Sequence, residues 1–118
     1  MDPGDVWLVQ LPVQDGREQA GQRPAVILQD DHYAGSSPLV LVASLTSQLS
    51  ALRFPGTVSV DPDENNGLTS PSVALIFQTR AVDRKRFVRR LGSLTKDNMS
   101  AVYEELDRVM GRDNPFAE

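Results

Sequence analysis

The stretch Glu18-Gln19-Ala20-Gly21-Gln22-Arg23-Pro24-Ala25-Val26-Ile27-Leu28 changes character in its middle. Up to Arg23 it is polar and reads as the end of a loop, Asp15 to Gln22, with Gly16 and Gly21 as mobile points. Pro24 restricts Arg23 to extended backbone and opens a strand over Ala25 to Gln29. The strand starts with four apolar residues in a row. A strand with one wet face alternates, so an unbroken run implies cover on both faces. Two more runs have this property, Leu39-Val40-Leu41-Val42 and Val73-Ala74-Leu75-Ile76-Phe77. Three such strands in one short chain make the fold mainly β.

The remaining elements follow on either side. Val6 to Leu11 reads as the first strand, ended by Pro12, and Asp30 to Pro38 as a polar turn region. The third strand covers Leu39 to Leu45, followed by a loop from Thr46 to Pro55, and the fourth covers Thr57 to Val60. Asp61 to Gly67 is turn chemistry closing on Asn66-Gly67, a hairpin signal. A fifth strand covers Ser72 to Phe77, and Arg80 to Leu91 adds one or two short ones. The last element has a different period. Met99, Val102, Tyr103, Leu106, Val109 and Met110 recur at helical spacing, with Thr95 as N-cap and Gly111 past the end. This predicts a C-terminal helix over 96–110. The 118 residues fit one domain, 1–118, with its core over about 4–111 and a flexible tail over 112–118. One helix covers only one patch of such a sheet. A second subunit is the natural cover for the rest, which predicts a homodimer; the alternative is that the fold's own loops do the covering.

Apolar residues make up 40% and charged residues 24%, an ordinary globular composition. The chain has no cysteine, so disulfides and thiolate metal sites are excluded. Acids stand where an export signal would carry bases, and no apolar run is long enough to span a membrane, so the expected location is the cytoplasm, with no membrane partner. The net charge of -4 argues against non-specific coating of nucleic acid. The charge is unevenly spread. Residues 1–79 hold three basic side chains against nine acids, while Arg80, Arg84, Lys85, Arg86, Arg89 and Arg90 are half of all the basic residues. Such a stretch is either a solvated strand-and-turn surface or a face that meets a polyanion.

The familiar catalytic sets are missing. His32 is the single histidine, and neither a second histidine nor a cysteine can complete a metal site with it. Asp61, Asp63 and Glu64 have the wrong spacing for a calcium loop and read as turn residues. There is no nucleophile elbow, no phosphate-binding glycine loop and no dinucleotide fingerprint. What remains is the block Glu18 to Val26. It resembles the E-Q-x-G-x-R-P-x-x-V signature of the MazF/PemK (Kid-like) toxins of type II toxin–antitoxin systems. The preceding Gly4-Asp5-Val6-Trp7 opening is similar to theirs. So, in order, are Ala43-Ser44-Leu45-Thr46-Ser47-Gln48, Phe54-Pro55, Asn66-Gly67, the strand Val73 to Gln78 and Thr79-Arg80-Ala81-Val82-Asp83.

The resemblance implies an α+β fold, an SH3-like β-barrel of the CcdB/MazF/Kid type with a C-terminal helix. It also implies a dimer and an endoribonuclease that cuts single-stranded RNA without metal or cofactor. In such a reaction the ribose 2′-hydroxyl attacks the adjacent phosphorus, leaving a 2′,3′-cyclic phosphate and a 5′-hydroxyl. Arg23 matches the family's catalytic arginine, whose planar fork suits two phosphate oxygens. Thr46 matches its catalytic threonine, a side chain with few rotamers. Glu18 matches a functional glutamate that either accepts the 2′-proton or orients Arg23. Gln19, Ser47, Gln48, Phe54 and Gln78 are the expected RNA-binding groups, with Phe54 available to stack on a base. The family also implies a cognate antitoxin whose acidic disordered tail occupies the same groove. One position departs from the pattern. Some branches carry an acid just before the glutamine matching Gln78, proposed as a base in Kid-like members, and here that position is Phe77. Two rivals share the fold. CcdB-like toxins bind DNA gyrase without cleaving anything, but lack the Arg/Thr pair. A non-catalytic binding module would suit Phe77 and the acidic net charge, but not the joint presence of Arg23 and Thr46.

Overall fold

The structure, a computed structural model, describes residues 1–11 and 21–112 of the chain. Strands β1 (Asp5–Leu11), β2 (Gly21–Ile27), β3 (Leu39–Thr46), β4 (Thr57–Val60), β5 (Ser72–Leu75), β6 (Arg80–Asp83) and β7 (Phe87–Ser93) form one antiparallel sheet, with helices α1 (Asp31–Ala34) and α2 (Lys96–Val109). The strand order is β4-β5-β3-β2-β1-β7, and β6 joins β3 from the side.

Two strands, β2 and β5, depart most from the limits read in the sequence, while β1 and β3 each extend by one residue. β2 starts at Gly21 and so contains Arg23 and Pro24, which lie opposite Val9 and Leu8 of β1. Pro24 is tolerated there because the ladder to β3 starts only at Ala25, so a residue lacking an N–H removes no bond on that side. The run Val73 to Phe77 is not one strand. β5 stops at Leu75, and Ile76–Gln78 turns as a short 3-10 segment. That turn lets one edge of β3 take two partners in succession, β6 along Leu39 to Val42 and β5 at Leu45 and Thr46. The polar region 30–38 also holds the single turn of α1, whose cap Asp30 accepts a hydrogen bond from the His32 N–H at 2.8 Å.

The mainly-β architecture with a terminal helix is the expected one, but the barrel is not closed. Among the described residues no ladder joins β4 to β7. The gap is bridged by the loop 61–71, where the Ser93 N–H donates to the Asn65 carbonyl at 2.9 Å. Asn66 braces this loop from a fully buried position. Its side chain accepts from the Leu68 N–H and donates to the Asp61 carbonyl. Asn66-Gly67 is therefore not a two-residue hairpin turn. Gly67 has φ +71°, and a Cβ there would overlap the Leu91 carbonyl, so only glycine lets the loop lie this close to β7.

Both sheet faces are covered within one chain. On one face Val6, Val26, Ala43, Leu45, Val58 and Val60 pack with Ile76, Met99 and Val102, the last two from α2. On the other, Val9, Ala25, Ile27, Val40, Val42 and Val82 pack beneath Met1, Trp7, Leu11 and Phe87. The chain's own curvature thus covers part of the apolar runs, while Leu39, Leu41 and Phe77 stay exposed and are left for a second subunit to cover. Helix α2 ends one residue short of the predicted limit and is capped as expected, with the Thr95 hydroxyl accepting from the Asn98 N–H. A fork of hydrogen bonds from Arg84 to Asp31 (2.8 and 3.2 Å) ties β6 and the turn after it to α1. The Arg84 hydrogen bonds, helped by the nearby N-terminal ammonium, hold the Asp31 carboxyl below its ordinary pKa, and the Asp31 carboxylate raises that of Arg84. No helix among the described residues is long and apolar enough to cross a membrane.

Candidate active site

Arg23 and Thr46 are 23 residues apart in sequence and line one cavity of about 560 Å³. Arg23 enters from the start of β2, just after Gly21, whose φ of +146° favours glycine. Thr46 enters from the end of β3, where it lies opposite Val73 of β5. The strand ladders β1–β2 and β3–β5 thus fix both backbones, so neither side chain depends on loop order for its origin. Both are half-buried.

Thr46 does two things at once. Its hydroxyl oxygen accepts from the Gln48 N–H at 3.2 Å, which closes the strand. A hydroxyl has one donor and two acceptor sites, so the O–H can still donate into the cavity. Ser47 and Gln48 line the same wall. Charge in the cavity is one-sided. Its described lining includes Arg23 and Arg89 and no aspartate or glutamate, in a chain whose acids outnumber its bases. An anion entering this space meets two guanidinium groups and several neutral donors. Among the described residues no group of three or more His, Cys, Asp or Glu is placed to hold a metal ion.

Of the residues singled out in the sequence, Arg23, Thr46, Ser47 and Gln48 are brought together here. Glu18 and Gln19 lie outside the described residues. Phe54 and Gln78 do not line the cavity. Phe54 is half exposed, with the Arg53 guanidinium 4.9 Å above its ring, and Gln78 sits exposed on the 3-10 turn after β5. Phe77, beside it, faces outward and approaches Gly56. His32 lies on α1, outside the cavity lining. Sequence reasoning missed Gln22, Thr69, Ser70 and Arg89, which also line the cavity. Gln22 stood inside the quoted block and alternates with Pro24 along β2. The residues after Gly67 gave no local signal, and Arg89 stood out only as one of a basic stretch; the seal of the loop against β7 brings them here.

The model of the PemK-like, MazF-like toxins of type II toxin–antitoxin systems matches residues 2–110. An endoribonuclease MazF from Staphylococcus epidermidis is 36% identical over 111 residues, covering 94% of this chain and 92% of the relative. The crystal structure of MazF from Deinococcus radiodurans superposes with a TM-score of 0.75 at 28% identity, covering 94% of this chain and 96% of that one. A MazE–MazF structure from the same organism gives 0.76 at 26% identity, with the same shares covered.

Proposed function

The chain belongs to the PemK-like, MazF-like toxins of type II toxin–antitoxin systems, and on that premise we propose that it is an endoribonuclease that cuts single-stranded RNA with Arg23 and Thr46. The observation that carries this reading is the meeting of these two side chains in one cavity whose described lining is cationic and free of carboxylates. RNA supplies its own nucleophile. The 2′-oxygen bonds to phosphorus, the bond from phosphorus to the 5′-oxygen breaks, and the 2′-proton is lost to a base while the departing 5′-oxygen gains one. The protein must hold the phosphate and offset the extra negative charge of the five-coordinate state.

Arg23 suits that second task. Its fork spans two non-bridging oxygens and stays charged throughout. Thr46 donates its O–H to the same group from the neighbouring strand, its oxygen already fixed by Gln48. Donors fixed in advance stabilise developing charge without reorganising at the moment of reaction. Glu18 remains the candidate acceptor of the 2′-proton, or the group that orients Arg23, on the family resemblance. No step needs a metal, and the products are a 2′,3′-cyclic phosphate and a 5′-hydroxyl. Ser47 and Gln48 stand ready to read bases splayed from a single strand, which makes cleavage sequence-specific.

A cognate antitoxin with an acidic tail neutralises the enzyme by filling the same cationic cavity. The protein acts as a homodimer in the cytoplasm. Its exposed apolar side chains, Phe54, Phe77 and Val109 near Gly56 among them, offer a surface for the second copy. Incubation of a long transcript with the protein in EDTA, followed by mapping of the ends, tests the reading. Discrete cuts with 5′-hydroxyl ends are expected. Intact RNA, or cleavage that requires Mg²⁺, overturns it.

A further inference from the structure

We infer that Arg89 holds a second backbone phosphate of the substrate, next to the one engaged by Arg23, and so sets the register of the RNA in the groove. This rests on the reading of the cavity as an RNA site. It starts from the basic stretch 80–90, which the sequence left between two interpretations. The structure divides that stretch. Arg84 is engaged by Asp31 and Arg90 by Asp5 at 3.2 Å. Arg89, between them on β7, lines the cavity. It is exposed, and among the described residues its side chain forms no ion pair or hydrogen bond.

The register of the sheet places it. Arg89 lies opposite Leu8 on β1, and Leu8 lies opposite Pro24 on β2. Pro24, Leu8 and Arg89 therefore form a row across three strands, with the outer two backbones about 10 Å apart. Arg89 ends this row on β7, and Arg23, the residue before Pro24, lines the same cavity from β2. Between them the wall is apolar, from Leu8, Pro24 and Leu91. Two guanidinium groups flanking an apolar strip match the repeat of a single strand: phosphate, then ribose and base, then phosphate. The described lining holds no carboxylate to repel a bound phosphate.

Arg89 contacts phosphate and not a base edge because nothing orients its fork. Reading a base requires a bidentate approach at a fixed angle. A charge on an exposed, unbraced side chain suits a phosphate, where position matters more than orientation.

The test measures binding of an uncleavable 2′-O-methyl single-stranded RNA to the full-length protein between 50 and 200 mM salt, for the wild type, Arg89→Gln and Arg89→Lys. Losing one phosphate contact should flatten the plot of log affinity against log salt by about 0.7. Arg89→Gln should show that change and Arg89→Lys should not. In cleavage assays Arg89→Gln should lower kcat/KM about tenfold at low salt through KM. Because Arg89 is exposed and unpaired, the melting temperature should hold. An unchanged salt slope overturns the inference. So does a loss confined to kcat, which would mean action through Arg23, or an altered cleavage word at unchanged slope, which would mean base reading. A wild type that cuts no RNA refutes the proposed function itself. A wild type that cuts, beside an Arg89→Gln protein with the parental slope, refutes only the role of Arg89.

Discussion

Thr46 shows how one residue serves structure and chemistry through different atoms. Its oxygen closes a strand by accepting from Gln48, and its proton is left to donate. Removing the hydroxyl should therefore affect catalysis far more than folding. Thr46→Ala and Arg23→Ala should each lower kcat about 100-fold or more, the usual scale for losing one fixed donor to a developing charge. Since both side chains are only half-buried, stability should change by about 0.5 kcal/mol or less. Thr46→Ser keeps the donor and should retain most of the activity. Single-turnover cleavage beside thermal melts checks all three variants. An Arg23→Ala protein that cuts at the parental rate would remove the arginine from the mechanism.

At the scale of elements, two attachments hold the sheet's periphery. Helix α2 seals one core through Val102, which is fully buried among strand residues. Val102→Ala removes two buried carbons and leaves a cavity, at a cost of about 2 kcal/mol. Urea unfolding should show this as a lower midpoint at unchanged slope. The second attachment is the fork from Arg84 to Asp31. Because the folded state lowers the Asp31 pKa, it contributes stability at pH values above the unfolded carboxyl's titration. That stability is lost as pH falls through the lower folded value. Asp31→Asn should therefore melt below the parent at pH 7, and the gap should narrow below about pH 4. A gap independent of pH would show that the carboxylate charge contributes nothing.

At the scale of the molecule, a sheet covered on both faces by its own chain still exposes apolar side chains at the far end of α2 and beside it. Phe77 is 46% exposed and Val109 47%, and both approach Gly56. We expect the protein to sediment at twice the 13.0 kDa chain mass at micromolar concentration. Phe77→Glu should shift it to the monomer, because a carboxylate buried without a partner is costly. A Phe77→Glu protein that stays dimeric would place the interface elsewhere, with the exposed pair Leu39 and Leu41 on β3 as the next surface to alter.

The sequence by itself determined whatever depends on neighbours in the chain. Helix α2 could be read from its period and its Thr95 cap, β4 from turn residues on both sides, and Arg23 from the proline that follows it. Arg23 and Thr46 could be singled out together only because the ordered motifs resemble a family, for no spacing rule relates them. Tertiary structure decided the rest. Val73 to Phe77 is apolar throughout, yet its last two residues leave the strand because one edge of β3 must admit both β5 and β6. Apolar runs call for cover without saying whose, and here the chain curls over Val40, Val42 and Val73 but leaves Leu39, Leu41 and Phe77 exposed. Arg89 looked the same as Arg84 and Arg90 in a basic stretch. Its place in the groove follows from strand register and from a glycine that brings a loop against β7, and both are contacts between residues far apart in the chain.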